Sequence, residues 1–275
     1  MIISKCRNCS HKNFLSLINL GKISFTGRFP KLKETEKKGI IKLIKCKSCN
    51  LIQLSENFKL KDLYGQNYGY RTGINNTMTH HVKKIVKKLS FLTNIKKNDA
   101  VLDIASNDGT LLNFYNKNIT TFGIDPILNK YKNNYKNIKF KTSNFFSYKS
   151  VRKLYKKKFK IITALSVFYD LPQPNIFLSD IHKLLDDNGI FLIEFADLYS
   201  IIKNKMFDTF CHEHLEYYST EVLIKMLIRN NLKLIDIKEN KINGSSKQFY
   251  VAQINSKYKV KKKIVKLVNF LHFIN

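Results

Sequence analysis

Apolar and polar positions change period twice along this chain. From Asp99 onward, short apolar runs of strand length recur at VLDIAS, TTFGIDP, KIITALSVF and GIFLIEFAD, separated by segments of helical period. Weaker runs follow at LKLIDIK (232–238) and QFYVAQI (248–254). This alternation predicts an α/β fold, a sheet of βαβ units flanked by helices. Upstream, Met78, Val82, Ile85, Val86, Leu89 and Leu92 share one face of a helix with lysines opposite, which predicts an amphipathic helix of roughly four turns. The segment 174–189 reads as a connecting helix with Asn188-Gly189 as its stop. The lysine-rich tail 257–275 reads as one further amphipathic helix, and LYGQNYGYRTGINNTM (63–78) is irregular, rich in tyrosine, glycine and asparagine. The divisions that follow are a small domain over 1–60, a linker and helix over 61–94, the α/β domain over 95–256 and the basic tail over 257–275.

Composition narrows the class. A hydrophobic fraction of 44% with 12% aromatics is that of a globular protein. The sequence contains no apolar run of the ~18 residues that would span a bilayer, and MIISKCRNC lacks a signal peptide's apolar stretch, so a cytoplasmic protein is expected. The formal charge of +29 would attract polyanions, yet only five of the 49 basic residues are arginine, the bidentate reader of phosphate and bases. Abundant lysine, asparagine and isoleucine together are what AT-rich coding produces. Nucleic acid is therefore a disfavoured partner, and an anionic small substrate fits the charge equally well.

Four of the five cysteines form two CxxC pairs, Cys6/Cys9 and Cys46/Cys49, each among turn-forming polar residues (CRNC, CKSC). Two such knuckles supply the four thiolates of a zinc ribbon, the metal replacing a core too small to form within the segment. Redox-active or incidental pairs are the competing reading. With four sulfurs the coordination is closed, so this metal would be structural.

The run VLDIASNDGTLL (101–112) reads as a strand ending at Asp103 and turning through Ser106, Asn107, Asp108 and Gly109 into a helix. Asp125 follows at the tip of the next strand, where an acid can accept hydrogen bonds from both hydroxyls of a ribose. The turn lacks the GxGxxG series that cradles a pyrophosphate. It therefore favours an adenosyl cofactor without phosphate over a dinucleotide.

Residues 207–219, FDTFCHEHLEYYS, place Cys211, His212, Glu213 and His214 in succession after a strand, where α/β sheets carry their chemistry. Imidazole beside a carboxylate suits proton transfer near neutral pH. The HEH spacing excludes the HExxH zinc-protease motif, and a polar surface loop is the competing reading.

Together CRNC and CKSC, YGQNYGYRTG, DIASNDGTLL, SVFYDLPQP, FDTFCHEHLEYYS and NGSSKQFYV resemble, in order, the S-adenosylmethionine-dependent sugar C-methyltransferases, which methylate nucleotide-linked 4-keto deoxysugars. The resemblance implies a Rossmann-like class I methyltransferase domain preceded by a zinc ribbon. It implies that Asp103, Ser106, Asn107 and Gly109 line the methionine side of S-adenosyl-L-methionine, and that Asp125 binds its ribose. Asn144 and Phe145 would contact adenine, with Asn144 in place of the usual acid, and Ala164 and Leu165 would follow the strand beneath the cofactor. His214 would be the base that forms an enolate, Glu213 would orient or recharge it, and His212 or a tyrosine would stabilise the enolate oxygen. Tyr70 would donate to the keto oxygen.

Three departures accompany the resemblance. Ala105 replaces a more usual glycine, and Cys211 stands where relatives often carry tyrosine, so that Tyr169 would take over that phenol's role or the role is lost. The third is length, since the family generally continues into a C-terminal domain that closes over the nucleotide sugar. A smaller acceptor, a separate chain supplying that half, and a truncated product all stay open. An RNA base methyltransferase and a non-catalytic cofactor-binding remnant are the alternative functions.

Overall fold

The computed structural model describes residues 1–26, 32–64 and 68–274, with side chains to Val268. The chain opens on the first knuckle and three strands, β1 (Phe14–Ser24), β2 (Lys38–Cys46) and β3 (Ile52–Leu54). A short helix α1 (Leu60–Leu63) and the amphipathic helix α2 (Asn76–Thr93) follow. The α/β part then runs β4 (Ala100–Ile104), β5 (Thr120–Ile124), β6 (Phe140–Thr142), α3 (Tyr148–Leu154), β7 (Phe159–Leu165), α4 (Pro174–Leu184), β8 (Leu185–Phe195) and α5 (Leu198–Lys203). It continues through β9 (Glu216–Tyr217), α6 (Thr220–Arg229), β10 (Leu232–Asn240), β11 (Ser246–Gln253) and α7 (Lys262–Ile274).

Two sheets result. The larger has the order β10-β11-β8-β7-β4-β5-β6, with β4 to β8 parallel and β11 inserted antiparallel between β8 and β10. Every residue of β4 and β5 is buried, as the unbroken apolar runs require of strands covered on both faces. The order reverses between β4 and β7, and the crevice beyond the carboxyl ends of these strands is where such sheets bind ligands.

Helix α2 covers one face of the sheet through Val82, Ile85, Val86 and Leu89. Asn75 caps its start by accepting from the amides of Thr77 and Met78, and Asn94 ends it in the left-handed conformation. Leu92, placed on the buried face by period, is 41% exposed, because the buried stripe runs through Val82, Val86, Leu89 and Thr93 and leaves Leu92 at its edge.

Helix α4 stops at Leu184, before the Asn188-Gly189 stop expected from sequence. Leu185 is already buried and paired with Phe159, and Asp186 turns the next residues by accepting from the Asn188 amide at 3.0 Å. A tertiary pairing thus overrides the local stop signal. Of the irregular segment 63–78, residues 65–67 lie outside the described residues; 72–74 form one 3₁₀ turn, and α2 begins at Asn76. The tail is helical from Lys262, as its period predicts, and Asn275 lies outside the description.

The smaller sheet has the order β1-β2-β3-β9, so its fourth strand comes from residues 216 and 217, far beyond the N-terminal segment. Its core is shared as well. Cys6, Cys46 and Leu51 pack with the main core, and Leu43 and Leu54 pack with Ile201, Leu215 and Tyr217.

Candidate active site and cysteine cluster

Beyond the ends of β4 and β7 lies a cavity of about 480 Å³. One side is built by the turn after β4. Ala105, Asn107 and Gly109 all take left-handed backbone angles (φ 54°, 50° and 76°), which fold the chain back so that Asp103, Ser106 and Asn107 line the cavity. Ala105 holds this conformation at a cost of about 1–2 kcal/mol that glycine would not incur. At Gly109 an added Cβ would meet Ile138 at 2.9 Å, so this glycine shapes the turn from behind and does not line the cavity. No regular α-helix follows the turn, only the 3₁₀ segment Leu112–Phe114.

Each acid of this region is held by neighbours. Asp125 accepts from the Asn107 and Ile127 amides, one on each oxygen, both at 2.8 Å. Burial nevertheless pushes its carboxyl up to about 6. Asp103 accepts from Thr163 Oγ1 at 2.5 Å, and burial raises it to about 7. One lone pair on each Asp125 oxygen stays uncommitted, enough to receive two hydroxyls. Asn144, Phe145 and Leu165 also line the cavity, with Asn144 anchored to Thr142 Oγ1. Ala164 does not; it is fully buried one residue earlier in β7, on the opposite side of the strand from Leu165. The set fits an adenosyl cofactor: acids at two strand ends, an amide and a half-exposed aromatic ring around one concavity.

The turn also latches the tyrosine-rich segment. Asn107 accepts from the Thr72 amide at 2.9 Å and donates to the Tyr70 carbonyl at 3.1 Å. Asp108 accepts from the Gly73 amide and from Arg71 Nε, each at 3.0 Å. Tyr70, Tyr68 and Tyr64 are thereby brought to the cavity wall.

The opposite end is formed by Tyr169, Asp170, Glu213 and His214. His214 Nδ1 lies 2.8 Å from the Thr209 carbonyl, a contact that only an N–H can make. This fixes the tautomer and leaves Nε2 with a free lone pair. Burial lowers His214 to about 4, so the ring is neutral at physiological pH. Tyr169 packs edge-on against it, ring centres 4.3 Å apart, and so faces the site. Glu213, also pushed up to about 7 by burial, makes no hydrogen bond to His214. The orienting role expected of Glu213 is filled by the Thr209 carbonyl instead.

His212 is corrected outright. It is fully buried outside the cavity, between the rings of Phe25 and Phe58, with Nε2 donating to the Gly39 carbonyl at 3.1 Å. Strict alternation would put His212 and His214 on one side; the chain bends through 211–213 instead, which turns His212 toward β2 and leaves Glu213 and His214 on the cavity wall. Cys211 is buried, and burial pushes its thiol up to about 12, which disfavours the thiolate a nucleophile needs.

Sequence reasoning missed Asp170, Tyr64 and Tyr68. Among the described residues, Glu213 Oε1 is buried without a hydrogen-bond partner, and the Tyr64 hydroxyl and the Asp170 carboxyl are buried facing one another, all on cavity-lining residues. Burial raises Asp170 well above the carboxylate range. The available signal was the Asp-Leu-Pro turn directly after a strand.

Away from the cavity, the sulfurs of Cys6 and Cys49 lie 3.6 Å apart, those of Cys9 and Cys46 3.5 Å, and all four fall within 4.8 Å of one another. Tetrahedral zinc with bonds of ~2.3 Å requires sulfurs about 3.8 Å apart, so the cluster fits that ion. Each knuckle closes with a left-handed residue, Ser10 and Asn50, whose amide bonds back to the first cysteine's carbonyl.

Residues 75–237 match the methyltransferase domain family, and the chain belongs to it. It is also similar to the C-methyltransferase NovU of Streptomyces niveus, 22% identical over 274 residues. That alignment covers 97% of this chain and 64% of NovU. The fold is that of an S-adenosylmethionine-dependent methyltransferase from Clostridium acetobutylicum, with a TM-score of 0.52, 14% identity and coverage of 64% of this chain and 92% of that one. The plantazolicin methyltransferase BamL, solved with a triazolic desmethylPZN analogue and SAH, has the same TM-score of 0.52 at 15% identity, covering 66% of this chain and 87% of that one.

Proposed function

We propose that this protein is an S-adenosylmethionine-dependent methyltransferase that methylates a carbon next to the ketone of a nucleotide-linked 4-keto deoxysugar. The observation that carries the reading is the polar end of the cavity, where His214 Nε2 makes no bond among the described residues and stands with Glu213 Oε1, buried without a partner, and the Tyr64–Asp170 pair. Buried groups of this kind are rarely left unpaired unless a ligand completes them. Asp103, Asn107, Asp125, Asn144 and Phe145 would hold the cofactor, which when bound supplies an electrophilic methyl group.

His214 Nε2 takes the proton from the carbon next to the ketone, and its Nδ1–H keeps the Thr209 bond, which stabilises the imidazolium as it forms. Tyr70 at the rim, or the Tyr64 hydroxyl beside Asp170, donates to the developing enolate oxygen. Burial holds both phenols above their ordinary range, so they remain donors. Asp125 keeps its role at the ribose.

The test is transfer of isotopically labelled methyl to nucleotide-linked 4-keto-6-deoxysugars and, in parallel, to bulk RNA, read by mass spectrometry. Label on a sugar ring carbon, lost in His214→Asn while cofactor affinity stays within about twofold, is the expected result. Label on RNA alone, or equal loss of cofactor affinity in His214→Asn, overturns the reading.

A further inference from the structure

The cysteine module touches the candidate base's loop at several points. Arg7 lies inside the first CxxC, and its guanidinium donates to the Leu54 carbonyl at 2.8 Å and to Asn57 Oδ1 at 2.7 Å. It also reaches the Leu215 carbonyl at 3.4 Å, directly after His214. Its Nε stands 3.4 Å from Glu216, and both side chains are at most 2% exposed. Gln53 donates to Cys6 Sγ at 3.2 Å, accepts from the Arg7 amide, and pairs in register with Glu216 across β3 and β9. The Leu54 amide bonds the Leu215 carbonyl at 2.9 Å. Just before His214, His212 is pinned to Gly39 of β2.

These contacts bracket Glu213 and His214 on both sides, and every one ends on the cysteine module. The buried Arg7 guanidinium is costly to leave unpaired, so its place is set jointly by the knuckle and by Glu216.

We infer that Arg7, Gln53 and Glu216 are positioning residues through which the four-cysteine module holds the Glu213–His214 loop at the cavity wall. This rests on the reading of His214 as the base. Metal binding is thereby coupled to the chemical step; the turn after β4 stands apart from this linkage, since it makes its anchoring bonds to Tyr70, Thr72 and Gly73, while another of the knuckle's contacts, Asn175 donating to the Asn8 carbonyl at 2.7 Å, ends on α4. Misplacing a base by ~1 Å can cost on the order of 100-fold in rate.

The experiment compares hydrogen exchange by mass spectrometry in the zinc-loaded protein, the chelated protein, Arg7→Met and Arg7→Lys, with metal content measured alongside. Exchange over 207–218 should rise about tenfold or more on chelation, and also in Arg7→Met with metal retained, while 101–109 stays unchanged. Arg7→Lys, keeping the charge without the fork, should fall between. In turnover, Arg7→Met should lower kcat about tenfold or more with cofactor Kd within twofold. Unchanged exchange at 207–218 after metal loss and in Arg7→Met, or an equal rise at 101–109, overturns the coupling. If the wild-type protein methylates no sugar, the exchange comparison still decides whether the coupling exists.

Discussion

His214 and Glu213 are adjacent in sequence, yet their environments divide the labour. Burial in an apolar pocket works against charge in both, holding the imidazole neutral above a pH of about 4 and the carboxyl protonated below about 7. The imidazole proposed as the base is therefore neutral across the physiological range, while Glu213 ionises within it. The expected kcat/KM rises through a pH near 7 as Glu213 ionises, and the remaining activity is lost toward a pH of about 4, where His214 takes up a proton. In Glu213→Gln that rise should disappear, and a pH–rate profile identical to wild type would remove Glu213 from the chemistry. Asp125 belongs to the other end of the site. Asp125→Ala removes the acceptor for two backbone amides as well as the expected ribose contacts, so cofactor Kd should weaken by about tenfold or more in titration calorimetry. The identity and order of these residues were legible from sequence. Which of the two histidines faces the cavity was not, because alternation would put both on one side and only the bends over 211–213, set where the loop is seated against β2, part them.

The turn after β4 and the segment 68–74 act as one element. Asn107 offers its side-chain oxygen to Thr72 and its nitrogen to Tyr70, which puts the tyrosine wall and the cofactor turn in fixed register. In Asn107→Ala both bonds are lost, and exchange of the Thr72 amide should accelerate before that of β4 does. The knuckles behave differently, since their four sulfurs come from two separated turns. Cys46→Ser should release bound zinc and lower the melting temperature by several degrees, as loss of a structural metal does; unchanged metal content would refute the ribbon. Sequence spacing announced both knuckles and α2, because CxxC and helical periodicity are local signals. The early end of α4 and the pairing of β9 with β3 were invisible, since each is decided by a partner strand distant in sequence.

Across the whole molecule, buried acids set the response to pH. Asp103 and Glu213 near 7 and Asp125 near 6 bind protons more tightly folded than unfolded. The penalty of ionising them is absent below the ordinary carboxylate range and grows as pH rises toward 7. His214 acts with the opposite sign, costing stability as pH falls from its ordinary value toward 4. The carboxyls outnumber it, so the cofactor-free protein should melt at a higher temperature near pH 5.5 than near pH 7.5. Asp103→Asn should flatten that dependence, and differential scanning calorimetry at the two pH values would show it. The +29 charge adds a field that salt should relieve at every pH. Among the described residues no helix is long and apolar enough to cross a membrane.

By itself the sequence determined the α/β class, the two cysteine knuckles, the turn after β4 with the acids at two strand ends, and the short stretch from which the proposed base comes. Those features are written in period, spacing and residue type, all of which are local. Only the tertiary structure decided that His212 is packed between two phenylalanines, that Thr209 and not Glu213 orients His214, and that Tyr64 and Asp170 join the site. It also gave the N-terminal sheet its last strand from beside the candidate base. Each of these depends on which long-range partner buries a given face, and a linear pattern specifies that a face is buried without specifying against what.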